Sequence, residues 1–289
     1  MTQGLVASRS RLSLGPHWPL VIGFAALAIP TALLLAGQTW TEEQGEQGPI
    51  LLATGAWLLW RQLPALRQEA KPGAPLITGL ILAIALPAYV LGRMLDFLTI
   101  EAAGVWGAGL AILHDRFGRR ALAKAWFPLL YLAFVIPPPS FVIDELTAPL
   151  KRLAALVSTN SLAAVGVPVS RQGVIIFVAQ YQLLVENACS GMNSLIGLTA
   201  IGLLYVYLMR RASPLYAFTL TLLVIPIAIL ANILRIMALI LITYAFGDEV
   251  GQSFIHYAAG LFLFGMALLL VFAVDGMLQA TLFRSKPRP

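Results

Sequence analysis

Residues 215–234 read LYAFTLTLLVIPIAILANIL, a run in which no side chain carries a charge. A helix of about 20 apolar residues crosses the ~30 Å hydrocarbon core of a bilayer, so this run predicts a transmembrane helix. The composition of the whole chain agrees, because 59% of its 289 residues are hydrophobic and 11% are charged. A soluble domain has about 25% charged residues. The sequence therefore predicts an all-α polytopic membrane protein.

Seven further apolar runs are present, and the segments between runs are short except for residues 137–188. Another apolar segment, residues 236–246, is too short to cross a bilayer alone, so it either prolongs the preceding helix or turns back as a ninth span. The first run lacks a small-residue cleavage motif and is expected to remain as an anchor. We find no repeat or second domain, so residues 1–289 are expected to form one transmembrane domain without a C-terminal accessory domain. With residues 215–234, the runs that predict eight spans are 18–36, 49–63, 75–91, 97–113, 126–137, 192–209 and 257–274.

The positively charged residues lie between the apolar runs rather than on one soluble segment. The net charge of +6 therefore reflects basic loops that set the orientation of the chain in the membrane. The same distribution argues against nucleic-acid binding. With both termini in the cytoplasm, 14 of the 19 Lys and Arg side chains fall on the cytoplasmic side of a bacterial inner membrane. In this orientation Cys189, Arg235 and His256 share the outer, periplasmic face. The basic residues left on that face are Arg93, Lys151, Arg152, Arg171 and Arg235.

The longest segment between spans, residues 137–188, begins with three prolines, which end the preceding helix because proline has no amide proton. Residues 174–185 are rich in β-branched and aromatic side chains and favour a short β-hairpin that leads to Cys189. Between them, residues 143–164 are predicted to form an amphipathic helix on the outer leaflet. Its apolar stripe consists of Ile143, Leu146, Leu150, Leu153 and Leu156.

The single cysteine, Cys189, lies in the polar sequence Glu186-Asn187-Ala188-Cys189-Ser190-Gly191, which opens the span from residue 192. One cysteine excludes an internal disulfide and a multi-cysteine metal site, and no metal or other cofactor is expected. A thiol attacks as its thiolate, and the amide protons of a helix N terminus favour that form. The alternative is that Cys189 packs as a small apolar side chain.

Two further polar residues lie at apolar spans on the same face. Arg235 follows Asn232 by one turn in an apolar helix, where a guanidinium costs about 2.5–3.5 kcal/mol at the bilayer centre. The N–H donors of its guanidinium could stabilise a thiolate or an oxyanion. The structural alternative is that the side chain reaches the outer lipid headgroups or pairs with a carboxylate. His256 is suited to move a proton between a thiol and a leaving amine, while the alternative is an ordinary interface histidine. His17 and His114 fall on the opposite side in this topology.

Together these motifs resemble the exosortase/archaeosortase family. The family pattern is Ala-Cys-Ser-Gly, then an Asn-x-x-Arg-[Ile/Val] helix, then a histidine at the start of a late span. Residues 188–191, residues 232–236 and His256 match these three parts in order. A proline-containing exit after Val135 and a Gly-x-Ile sequence at Gly173 extend the resemblance over about residues 130–275. The N-terminal spans match in hydropathy alone.

The resemblance implies a cysteine transpeptidase or protease that cleaves exported proteins at a C-terminal PEP-CTERM-type sorting signal. Such a signal has a motif such as Pro-Glu-Pro, a transmembrane helix and a basic tail. The family analogy makes Cys189 the nucleophile that forms a thioester, His256 the proton carrier and Arg235 the stabiliser of the thiolate or oxyanion. A lipid or glycan acceptor then takes the acyl group, or water hydrolyses it. The supporting positions are Glu186, Asn187 and Asn232.

Two functions of other classes are alternatives. A small transporter or flippase would use Arg235 as an anion site near a broken helix around Pro226 and Asn232. A non-catalytic assembly factor for envelope polysaccharide would use the outer amphipathic helix as its contact surface. Replacement of Cys189 separates these functions from a peptidase, because neither needs a nucleophile.

Overall fold

The structure, a computed structural model, describes residues 18–41, 45, 47–184, 192–208, 214–251 and 259–281. Most of these residues are helical, as the sequence predicts, and one small antiparallel sheet interrupts the helices in the second half of the chain.

The described residues of the first half of the chain form five helices. The third and fourth are neighbours whose backbones approach closely at glycine, since a Cβ on Gly104 would lie 2.6 Å from the backbone nitrogen of Tyr89. Small residues allow such close packing where apolar side chains gain nothing by leaving lipid. The helices are α1 (Trp18–Leu34, continued by a π-helical turn, Leu35–Thr39), α2 (Gly48–Gln68), α3 (Pro75–Met94), α4 (Leu98–Lys124) and α5 (Trp126–Ala133).

A short helix, α5, replaces one of the predicted spans, and the helix before it is kinked. α4 is bent at Gly118, whose φ of 75° and ψ of 171° are open to glycine alone. α5 has 8 residues and is therefore about 12 Å long. Its end tightens into a turn in which the Phe134 amide donates to the Tyr131 carbonyl, just before the three prolines. The predicted span over residues 126–137 is therefore not one full-length helix.

Among the described residues of the second half of the chain, a helix and a sheet precede three further helices. The three strands are joined by a turn at Gly173, with φ 64°, and by a turn at Ala179, with φ 51°. The elements are α6 (Ser140–Ala164), β1 (Val169–Gln172), β2 (Ile175–Val178), β3 (Tyr181–Leu184), α7 (Met192–Leu208), α8 (Pro214–Phe246) and α9 (Ala259–Thr281).

The sheet has the order β1-β2-β3 with both pairs antiparallel. Val169 is paired with Val178, and Val178 is paired with Tyr181. The segment for which a hairpin is predicted thus contributes β2 and β3, while β1 is a strand that the sequence pattern does not predict. Ile176 and Val178 are fully buried and pack with residues of α6 and α8 in one core.

α8 is one continuous helix of 33 residues. Residues 236–246 therefore prolong the preceding helix and do not turn back as a separate span. Pro226 lies inside the helix, which continues through it and through Asn232. The broken helix on which the transporter alternative depends is absent from this described part of the chain.

In the described ranges, three helices are long and apolar enough to cross a membrane: Trp18–Thr39, Pro75–Met94 and Phe218–Phe246. Thr199–Leu208 and Leu268–Leu278 are shorter apolar helices. These lengths fit a helical membrane protein, and the count of eight spans stays a prediction.

The predicted amphipathic helix is present as α6, but Leu153 and Leu156 of the predicted stripe do not lie on its buried face. Leu153 and Leu156 are 43% and 40% exposed. The packed face is made mainly of small and polar residues, which allow α6 to approach α8 closely. The buried residues on this face are Ala154, Ala155, Ser158, Thr159 and Leu162.

Candidate active site around Arg235

Arg235 lies one membrane thickness from the start of α8. The helix begins at Pro214, and 21 residues at 1.5 Å each give about 32 Å, close to the ~30 Å thickness of a hydrocarbon core. The remaining turns, to Phe246, continue beyond that level. If Pro214 lies at one boundary of the hydrocarbon core, Arg235 therefore lies at the opposite boundary.

The Arg235 side chain is buried inside the protein and does not extend to the surface. It is 3% exposed, and Asn232, one turn earlier, is 4% exposed. Arg235 continues the stripe of Ala228 and Ala231, the two residues that pack against α9 at Leu270. A buried guanidinium keeps its charge and five donors in a fixed fork, so its surroundings must supply acceptors or negative charge.

The opposite face of α8 is held by α6 and the sheet. Ser158 of α6 is fully buried and donates a hydrogen bond of 3.3 Å to the backbone carbonyl oxygen of Ile233. Ile236 and Ile240 pack in the same core as Ile176 of β2. Residues of α8 on both sides of Arg235 are thus fixed by tertiary contacts.

α7 begins at the depth of Arg235. α7 and α8 are antiparallel, because Gly202 faces Val224 while Tyr205, further along α7, packs near Leu220, further back on α8. A Cβ on Gly202 would lie 2.7 Å from a Val224 methyl group, so the two backbones are close. The same register brings Arg235 level with the N-terminal end of α7, which begins at Met192.

α9 begins about one turn beyond Arg235. Ala228 and Ala231 of α8 pack with Met266 and Leu270 of α9, whereas Leu220, earlier in α8, packs with Leu278, later in α9. These helices are therefore also antiparallel. This register brings Arg235 opposite about position 263, while α9 begins at Ala259. The N-terminal ends of both α7 and α9 therefore flank the buried guanidinium.

A glycine turn brings the chain back over the end of α8. Gly247, with φ 89°, donates its amide hydrogen to the Thr243 carbonyl at 2.9 Å. Residues 248–251 then form one helical turn, in which Gly251 packs directly on the buried Thr243 side chain. This turn directs the chain toward the segment that precedes α9.

The sequence profile of the transmembrane exosortase family matches the chain over residues 39–273. The chain belongs to the transmembrane exosortase family. This is a family of membrane transpeptidases and proteases, so the resemblance predicted from the three motifs is confirmed. No curated protein and no solved structure matches the chain.

Of the predicted site residues of this exosortase, the structure describes Arg235 and Asn232. Glu186, Asn187, Cys189 and His256 lie outside the described residues. In sequence, Cys189 precedes the first residue of α7 by three positions, and His256 precedes the first residue of α9 by three. The meeting of Cys189, Arg235 and His256 in one pocket stays a prediction.

Sequence reasoning missed a buried acid in the exosortase. Glu101, near the start of α4, is 2% exposed and accepts hydrogen bonds from Thr31 at 2.7 Å and from Arg93 at 3.0 Å. The sequence did carry a signal, because Glu101 is the one charged residue in the predicted span 97–113. A lone ionisable residue in a membrane span is expected to have a partner in the protein interior.

A second acid, Asp275, is also buried, on α9. Tyr205 of α7 donates a hydrogen bond of 2.5 Å to its carboxylate. This bond joins α7 to α9 at the end of the helices far from Arg235. The predicted last span ends at residue 274, so hydropathy leaves Asp275 outside the helix and gives no sign of its partner.

Proposed function

We propose that this chain is a cysteine transpeptidase or protease of the bacterial inner membrane. It cleaves C-terminal PEP-CTERM-type sorting signals from exported proteins on the periplasmic face. The new carboxyl end is transferred to an envelope lipid or glycan, or released by hydrolysis. The observation that carries the proposal is the buried Arg235, flanked by the N-terminal ends of α7 and α9.

The surroundings of Arg235 support this reaction because they are rigid. α6 and the sheet fix one face of α8, and close packing at Gly202 fixes another. Donors that are fixed before the reaction stabilise developing negative charge without reorganising, and this stabilisation commonly accounts for most of an enzyme's rate enhancement. Arg235 has the chemistry to stabilise the oxyanion of a tetrahedral intermediate.

Cys189 and His256 supply the nucleophile and the proton carrier in this mechanism. The Cys189 proton passes to the His256 imidazole while sulfur bonds to the scissile carbonyl carbon. The tetrahedral intermediate collapses as the C–N bond breaks, and the imidazolium protonates the leaving amine. An acceptor amine or hydroxyl, or water, then attacks the thioester with His256 as base, and the thiolate leaves.

The distribution of basic residues supports the periplasmic location. A cytoplasmic N terminus leaves 5 of the 19 basic residues outside, as the positive-inside rule requires. The substrate helix would then cross the membrane with its basic tail inside and its cleavage motif at the level of Arg235.

An impermeant maleimide should label this single-cysteine chain in intact spheroplasts, and labelling solely after membrane disruption would contradict the topology.

Co-expression with a substrate that carries the C-terminal signal tests the activity. Wild type should give a product shortened at the signal, and Cys189→Ala should give none. Hydroxylamine should intercept the thioester and leave a hydroxamate at the new C terminus. Because the chain has one cysteine, a thioester can form at that residue alone. Processing by Cys189→Ala at the wild-type rate would overturn the proposal and favour a non-catalytic assembly factor.

A further inference from the structure

The loop between α2 and α3 and the kink of α4 enclose a cavity of about 510 Å³. It opens at the end of the helices where α2 finishes and α3 begins. Three cationic side chains, Lys71, Arg119 and Arg120, line it. Glu69 is the one acid among the described lining residues, and it forms an ion pair with Lys124. The cavity therefore has a net positive lining.

The three cations have no ion-pair partner in the ranges that the structure describes. All three side chains are exposed at the mouth of the cavity. Cations held close together without counter-charges repel one another, and a bound anion removes that repulsion. The cavity is thus complementary to a compact anionic group.

The backbone holds these cations in place. The Lys71 amide donates to the Phe117 carbonyl at 3.4 Å, and the Gly73 amide donates to the Asp115 carbonyl at 3.0 Å. Gly118 makes the contact possible, because a Cβ there would lie 2.6 Å from the Lys71 carbonyl oxygen. The loop is therefore docked on the kink, and less ordering of the loop is required when a ligand binds.

The buried wall of the cavity is polar and equally fixed. His114 is 3% exposed, and its Nδ1 lies 2.9 Å from the Thr78 hydroxyl oxygen. Gly73 packs directly on the His114 ring and carbonyl group. The sequence pattern predicts a basic loop around this histidine, whereas the structure buries it in α4 against α3.

One side of the cavity continues into a lipid-facing surface. α3 is a candidate membrane span, and only 11% of its most apolar 18-residue stretch is buried inside the protein. Ile77 lines the cavity and is 39% exposed, while Leu76 and Leu80 beside it are 75% and 56% exposed. A ligand that fits both surfaces carries a negative charge next to hydrocarbon chains.

We propose that this cavity binds the phosphate headgroup of an anionic phospholipid, whose acyl chains lie along α3. Basic pockets between membrane helices on the cytoplasmic side are suited to such headgroups. The lipid site is separate from the candidate active site. Tyr207, which accepts a hydrogen bond from Gln62 at the cavity end, is 15 residues from Met192, the first residue of α7, or about 22 Å along the helix.

Retention of phosphatidylglycerol tests the proposal without any peptidase assay. The purified full chain is equilibrated with phosphatidylcholine vesicles that contain a minor fraction of phosphatidylglycerol, and retained lipid is counted by native mass spectrometry. Wild type should retain phosphatidylglycerol in preference to phosphatidylcholine. Arg119→Gln/Arg120→Gln should weaken this retention roughly 30-fold, the effect of two lost headgroup contacts.

Arg61→Gln/Arg67→Gln is the matched control. It removes the same charge from the same end of the helices, at positions that do not line the cavity. It should retain phosphatidylglycerol as wild type does, and equal loss in both double variants would overturn the proposal in favour of general surface attraction. If Arg119→Gln/Arg120→Gln fails to fold, Lys71→Gln replaces it, with an expected loss of roughly fivefold.

Inorganic phosphate separates a lipid site from a site for soluble phosphate. At constant ionic strength, millimolar phosphate should leave phosphatidylglycerol retention unchanged, because the acyl chains along α3 add affinity that the free anion lacks. Displacement of phosphatidylglycerol by phosphate, with sulfate inactive at the same ionic strength, would overturn the lipid proposal.

Discussion

The hydroxyl of Ser158 and the carbonyl oxygen of Ile233 are 3.3 Å apart, in a fully buried contact two positions before Arg235. It is the point at which α6, a helix outside the apolar runs, reaches the helix that carries the buried guanidinium. The flanking residues Ala154 and Ala155 are as small as the contact requires. The position of Arg235 therefore depends on an element that hydropathy does not identify as part of the membrane domain.

Ser158→Leu should loosen this contact. A leucine at a fully buried position between two helices is an overpacked residue, which costs about 1–3 kcal/mol. Ser158→Ala is the matched control, because it removes one hydrogen bond, worth about 0.6 kcal/mol in a membrane protein, without adding volume. Thermal unfolding in detergent should rank wild type and Ser158→Ala close together and well above Ser158→Leu. Equal stability of all three would show that α6 does not fix α8.

Arg235→Lys should abolish most processing while the protein still folds. Lysine keeps the charge but loses the planar donor fork, and loss of one oxyanion donor lowers kcat by about 10²-fold or more. The control is Arg171→Lys, at an exposed arginine on β1 whose Nη1 donates to the Gly173 carbonyl at 2.8 Å. That variant should stay within about twofold of wild type in the co-expression assay. Full activity of Arg235→Lys would assign Arg235 a structural role.

The sequence predicted the helical class, the start of α7 and the helix that carries both Asn232 and Arg235. These features depend on local sequence, because the length of an apolar run and a charged residue next to it can be recognised without knowledge of tertiary contacts. The buried face of α6 was not predictable in the same way. A leucine stripe normally faces a core, but in a membrane protein lipid accepts leucine as readily as the protein interior does, and small residues mark the packed face.

Partners that are distant in sequence could not be predicted either. The lone charge of Glu101 predicts a partner, but choosing Arg93 and Thr31 over other candidates requires the packing of α1, α3 and α4. The shortness of α5 depends on the tight turn after Tyr131, which the apolar composition of residues 126–137 does not reveal. The loop predicted around His114 is wrong because α4 extends past the apolar run, through the kink at Gly118.

Arg93→Ala should destabilise the protein far more than the same change at the other ion pair. The Glu101 side chain is 3% exposed, so removing Arg93 leaves a buried carboxylate whose one hydrogen-bond partner among the described residues is the Thr31 hydroxyl. The expected loss is about 3 kcal/mol, the low end for a broken buried pair, because Arg93 itself is 46% exposed. Lys124→Ala removes the exposed partner of Glu69 and should cost less than about 1 kcal/mol.

A double variant separates the buried charge from the lost contact. Arg93→Ala/Glu101→Gln removes both charges, so it should be more stable than Arg93→Ala alone, measured by thermal unfolding in detergent. If the double variant is less stable than the single one, the buried charge is not the cause of the loss.

Gly247→Ala should weaken the turn that directs the chain from α8 toward residue 256. The φ of Gly247 is 89°, a conformation that costs a residue with a Cβ about 1–2 kcal/mol. Space is not the obstacle, since the added Cβ would lie 3.4 Å from the Tyr181 hydroxyl oxygen, an ordinary contact. Gly276→Ala in α9 is the control, because its Cβ meets nothing within 4 Å and alanine favours a helix by up to about 1 kcal/mol.

If His256 carries protons at the Arg235 site, Gly247→Ala should reduce processing beyond its effect on stability, whereas Gly276→Ala should reduce neither. Loss of stability in Gly247→Ala with unchanged processing per folded molecule would mean that this turn does not position the catalytic histidine.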